Sequence, residues 1–162
     1  MSGKNKKTSS VASSAKCVWG LLCSMSAIDQ EKNNISLFNI IDQMNLPQEA
    51  FSSSERKILF PIGHEIVTLW RRVIPFTLDT REIKVELLVS LVNPKEEVTQ
   101  QFLTSFLFVP GKKRMRFRIQ MPGIIAFTPG DYIYRLAFKA PEEETFTPAL
   151  EIPFDVQVLK TN

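Results

Sequence analysis

Between Gly111 and Met121 the chain sets its cations at a spacing that suits anion binding: Lys112, Lys113, Arg114, Arg116 and Arg118. From Lys113 the period is two, with Met115, Phe117, Ile119 and Met121 on one side of the alternation and Arg114, Arg116, Arg118 and Gln120 on the other. On a strand, that places three guanidinium groups along one face at intervals of about 6.8 Å. Arginine's planar fork suits two-point contact with a carboxylate or a phosphate. A platform for single-stranded nucleic acid also needs aromatic rings beside the charge. Phe117 lies among the arginines in sequence, but the pleat turns it to the opposite face. The stretch is therefore a candidate surface for an anion or an acidic partner, and nucleic acid is the less favoured ligand. The plainer alternative is a solvated outer face, partly paired with acids such as Glu82 or Glu86.

Other chemistry is thinly represented. General acid–base and metal sites need a cluster of histidine, cysteine or carboxylate, and this chain has one histidine, His64. A lone histidine at the start of a strand reads as a structural residue. Asp29-x-Glu31-x-Asn33-Asn34 has the outline of a calcium loop, but that register needs glycine at position 34 and glutamate at position 40, where Asn34 and Ile40 stand. A hairpin turn accounts for the same residues, because asparagine tolerates positive φ and aspartate caps turns. There is no glycine-rich phosphate loop, no Cys-x-x-Cys pair and no G-x-S-x-G elbow. The expectation is a protein without cofactor or metal, and not an enzyme.

The elements that carry these residues fit one domain. At 162 residues the chain is long enough to bury a full core without staples. Residues 1–28 hold Lys4, Lys6, Lys7 and Lys16 and no acid, which leaves 16 basic against 17 acidic residues in the rest. The net charge of +3 thus belongs to the N-terminus, and the body is close to neutral. Residues 1–16, rich in serine and lysine, are expected to form a disordered basic tail, with the folded domain over 17–160. Cys17 and Cys23 sit six residues apart on one strand, about 20 Å, too far for a bridge. Two thiols kept apart fit a reducing, cytoplasmic setting. The alternative is export, with residues 1–27 as a signal peptide. The apolar run Cys17–Ile28 is too short to cross a bilayer as a helix, which takes about 20 residues, so no membrane is expected.

Strand signals recur along the rest of the chain. Cys17–Ile28 and Ile35–Met44 read as a long apolar hairpin around Asp29–Asn34, with Cys17, Trp19, Leu21 and Cys23 sharing a face. Further strands are expected over Ile62–Val73, Glu82–Val92, Phe102–Val109, Lys113–Met121, Asp131–Lys139 and Glu151–Leu159. Asn93-Pro94-Lys95-Glu96 fits either a hairpin turn or the start of a helix; the strand-like FLTSFLFV that follows favours the hairpin. Pro153 marks an edge or a bulge. Eight strands with turn signals about every ten residues predict an all-β, antiparallel, immunoglobulin-like β-sandwich. Pro129-Gly130-Asp131-Tyr132-x-Tyr134 matches the penultimate strand of such domains, where a tyrosine hydroxyl bonds back to the chain.

Cys23, Ala27, Ile28, Asp29, Asn33, Asn34, Ser36, Leu37, Phe38 and Asn39 form the pattern Cys-x-x-x-Ala-Ile-Asp … Asn-Asn-x-Ser-Leu-Phe-Asn. This pattern resembles a small family of uncharacterised bacterial proteins, a domain-of-unknown-function group. The likeness runs on through Thr68-Leu69-Trp70-Arg71-Arg72 and Asp131-Tyr132. It implies a bacterial origin and a β-sandwich, and it brings no functional residues. The expected function is a non-catalytic module acting through protein contacts or self-association. The alternative is anionic-ligand or nucleic-acid binding through residues 112–118 and the lysine tail.

Overall fold

The alternation along Arg114–Met121 and Gly130–Lys139 becomes the pleat of two facing sheets. The computed structural model describes residues 15–29, 34–52, 56–73 and 82–160. They form β1 (Ala15–Asp29), β2 (Asn34–Ile40), β3 (Gln43–Leu46), β4 (His64–Arg72), β5 (Ile83–Val92), β6 (Val98–Phe108), β7 (Arg114–Met121), β8 (Gly130–Lys139) and β9 (Thr147–Val158). One sheet has the order β2-β1-β4-β7 and the other β3-β9-β8-β5-β6. Every strand pairing is antiparallel except β3 with β9. β1-β4-β7 facing β9-β8-β5-β6 is the immunoglobulin-like arrangement of two antiparallel sheets.

The core is an aromatic layer between the sheets. Trp70 on β4 is fully buried and meets Phe106 of β6 at 5.2 Å and Phe138 of β8 at 5.3 Å between ring centroids. Its indole N–H donates to Thr68 Oγ1 (2.9 Å), and that hydroxyl donates to the Phe117 carbonyl (3.1 Å). The one polar atom of the ring is thus satisfied inside a buried layer, where an unmet donor would cost about 1–3 kcal/mol. Tyr132, Tyr134, Leu136 and Phe138 all point inward, as their alternation requires. Gly20 faces β9: a Cβ there would meet Leu150, Thr68 and Ile152, so a side chain at this point would push the sheets apart.

Three sequence expectations change in detail. The stretch Ile35–Met44, expected as one strand, is two, so the sandwich has nine strands. Asn39 adopts φ 50°, Ile41 N makes a last bond to the Leu22 carbonyl, and the chain then crosses to pair with the C-terminal strand. That parallel pairing is far apart in sequence and leaves no local mark. β1 starts at Ala15, so the boundary drawn at residue 16 lies two residues too far: Ala15 is buried and Lys16 pairs with Arg71. The rest of the expected tail, residues 1–14, lies outside the described residues. A bulge between Cys17 and Trp19 breaks the shared face: Cys17 lies across from Trp70 and packs on the core, whereas Trp19 lies across from Leu69. Pro153 lies on the part of β9 that β3 does not reach, where its missing N–H costs no ladder bond.

Two turns behave as their residues dictate. Asn93 Oδ1 accepts from the N–H groups of Lys95 and Glu97, both at 2.9 Å, and Glu96 takes φ 62°. A hairpin results, with β6 beginning at Val98. Tyr132 donates its hydroxyl to the Thr128 carbonyl (2.9 Å) and accepts from the N–H groups of Phe127 and Thr128. Tyr132→Phe strands those groups in the corner, so the variant should unfold about 1–3 kcal/mol more easily. Chemical denaturation checks this, with the slope unchanged and only the midpoint moved.

Candidate functional site

β7 keeps Arg114, Arg116 and Arg118 on one side of its pleat, across from Arg71, Leu69 and Val67, but their partners differ. β7 is an outer strand of its sheet, beside β4. Arg118 is tied at the far end: its Nε lies 3.9 Å from Glu65 Oε1 and its Nη1 donates to the Ser26 carbonyl at 3.3 Å. Ser26 Oγ donates to the same Glu65 carboxylate, which closes a small polar network over Cys23. Burial raises the Cys23 thiol above its ordinary pKa, and the Glu65 charge adds to the effect. Arg116 and Lys113 also have interactions of their own. Lys112 and Lys113 precede the strand, in the turn after β6. Glu86, one expected partner for these cations, lies in the other sheet, 3.8 Å from Lys84 and 3.6 Å from Lys139. Among the described residues, the acid that meets Arg118 is Glu65.

On the strand itself, Arg114 has no ion-pair partner among the described residues, and the fold gives it new neighbours. Arg114 lies across from Arg71, and Arg71 lies across from Lys16, so three strands contribute one cationic row. All three side chains are exposed. Together with Val18 and Leu69 they line a groove of about 350 Å³. The bulge at Cys17/Trp19 leaves Val18 half-exposed beside Lys16, at 50 %. Spacing does not single out Lys16 or Arg71, because one stands in the expected tail and the other on a different strand. The doublet Arg71-Arg72 at a strand end is the available signal: alternation alone sends one arginine out and the other in. Arg72 is indeed buried, reaching the Phe108 carbonyl at 3.4 Å, with burial lowering its pKa.

Among the described residues, no group of three or more histidine, cysteine or acidic side chains is arranged to hold a metal. Asp29 and Asn34 pair as the ends of the β1–β2 hairpin; residues 30–33 of the calcium-like loop lie outside the described residues. No helix among the described residues is long and apolar enough to cross a membrane. Both cysteines are free thiols, and burial pushes Cys17 up to about 11.

His64 is a core residue. It is buried, with Nδ1 2.9 Å from the Ile62 carbonyl and Nε2 2.9 Å from the Tyr134 hydroxyl. These partners fix the neutral ring: Nδ1–H donates to the carbonyl and Nε2 accepts from the tyrosine. Burial raises the Tyr134 hydroxyl above its ordinary pKa, which keeps it a donor.

No family model matches the chain, and no curated protein matches it. Among solved structures it is similar to the alkylpurine DNA glycosylase AlkC of Pseudomonas fluorescens bound to DNA containing an abasic-site analogue. That likeness has 8 % identity and a TM-score of 0.48, over 90 % of this chain and 31 % of that one. It is also similar to a family 123 glycoside hydrolase from Clostridium perfringens, at 11 % identity and a TM-score of 0.42, over 87 % of this chain and 27 % of that one. The chain spans less than a third of either protein.

Burial holds the His64 pKa below its ordinary 6.5. The unfolded chain therefore takes up this proton first as pH falls, and stability that is full above pH 6.5 is lost toward the folded-state value. The melting temperature should drop as pH falls below about 6.5, and His64→Gln should flatten that drop. Thermal melts of both proteins across the window check it; equal slopes would exclude His64 as the source.

Proposed function

We propose that this chain is a non-catalytic β-sandwich module that acts through protein contacts, and that its contact is with a second copy of itself along β2. The observation that supports this is the composition of a sheet edge left open among the described residues. β2 is an outer strand, Asn34–Ile40 holds no charged residue, and Phe38 and Ile40 are 44 % and 59 % exposed. Met25, across from Phe38, is 54 % exposed and extends the same apolar cluster.

Sheet edges are ordinarily blunted by charge, proline or shortness. Here β7 carries arginines and β3 is four residues long, but β2 has no such guard. β6 also lacks charge, yet Leu103 and Leu107 alternate there with Gln101 and Ser105, so its apolar groups are interrupted. Pairing β2 antiparallel to its copy about a two-fold axis extends the sheet and sets the two apolar clusters against each other. We place the module in the reducing cytoplasm of a bacterial cell, a reading that the two free thiols support.

Sedimentation or light scattering across about 1 to 100 μM should show a dimer. Ile40→Lys should give a monomer with stability changed by less than about 0.5 kcal/mol, because the site is exposed. Leu103→Lys should leave the dimer intact. A wild-type chain that stays monomeric throughout, or an Ile40→Lys variant that dimerises as tightly as the wild type, overturns the proposal.

A further inference from the structure

The row Lys16–Arg71–Arg114 juxtaposes three like charges on adjacent strands of a sheet that is otherwise well paired. Neighbouring strands lie about 4.8 Å apart, and like charges directly opposite each other destabilise a sheet. Elsewhere among the described residues several cations are matched by acids. Arg135 sits between Glu96 and Glu151 at 2.8 Å each, Lys139 and Lys84 share Glu86, and Arg118 has Glu65. Among the described residues, no acid forms an ion pair with Lys16, Arg71 or Arg114. The three line a groove with Val18 and Leu69, which gives the charged row an apolar floor.

We infer that this groove is a binding site for a small phosphomonoester carried on a compact apolar body. Two arginines present planar forks that match phosphate oxygens, and the lysine adds a third positive charge. A group bearing close to two negative charges complements that row better than a single carboxylate does. Val18 and Leu69 accept the apolar part of the same molecule. The volume of about 350 Å³ falls in the range of small-ligand clefts. The site is independent of the β2 edge: Lys16 and Met25 are nine residues apart on β1, about 30 Å along the strand.

Phenyl phosphate is the probe, titrated into the full chain at low salt and followed by amide chemical shifts and by calorimetry. The expected result is a set of shifts centred on Lys16, Val18, Leu69, Arg71 and Arg114. Arg71→Gln or Arg114→Gln should weaken binding about tenfold, as should raising salt from about 50 to 500 mM. Benzoate, with one charge, and inorganic phosphate, without the ring, should each bind several-fold more weakly. Arg71→Gln should also leave the unliganded melting temperature equal or higher, because it removes a repulsion; this separates loss of the site from loss of the fold. No shifts at millimolar phenyl phosphate overturn the inference. So does tighter binding of a single-stranded oligonucleotide at equal phosphate concentration, which would make the row part of a nucleic-acid surface.

Discussion

The position of Trp70 sets the separation and facing of the two sheets. Its indole is fully buried between β4 and the pair β6 and β8, and its N–H has one partner, Thr68 Oγ1. That bond fixes the ring's orientation, so that Phe106 and Phe138 meet it at angles of 50° and 70°. Tilted and edge-on contacts of this kind contribute about 0.5–1.5 kcal/mol each beyond the area they bury. Thr68 passes the hydrogen bond on to the Phe117 carbonyl, which ties β4 to β7 inside the same layer. The hydrogen bond thereby offsets the desolvation cost of a polar atom in the core.

The outer surface follows from that inner commitment. With Thr68 and Trp70 facing in, the pleat turns Leu69 and Arg71 out. The β1 and β7 registers then bring Lys16 and Arg114 alongside Arg71. The β1 bulge is the second device: it lets Cys17 pack into the core while leaving Val18 exposed next to Lys16. The cationic groove is thus built by core packing and one extra residue in a strand, not by a loop.

The opposite end of the same sheet has a different character. Glu65, Ser26 and Arg118 form a satisfied polar network, and beyond it β1 and β2 present Met25, Phe38 and Ile40. One sheet therefore carries a cationic row at one end and exposed apolar side chains at the other. Buried His64 contributes to neither. Its two ring nitrogens are used within the core, by Ile62 and Tyr134.

The chain by itself determined the fold class, because period-two alternation and turn residues are local properties. Met115 to Met121, Tyr132 to Phe138, the Asn93 hairpin and the Tyr132 corner could all be read from neighbours a few residues apart. Residue types alone also marked Arg114 as a candidate contact. Tertiary structure decided what Arg114 stands beside. The row with Lys16 and Arg71 depends on β1–β4 and β4–β7 register, set by contacts dozens of residues apart in the chain. The same is true of Arg118's capture by Glu65, of the crossing of β3 to β9, and of β2's place at an edge. Register obeys the global packing of two sheets, and a strand's own composition does not state which strand will lie beside it.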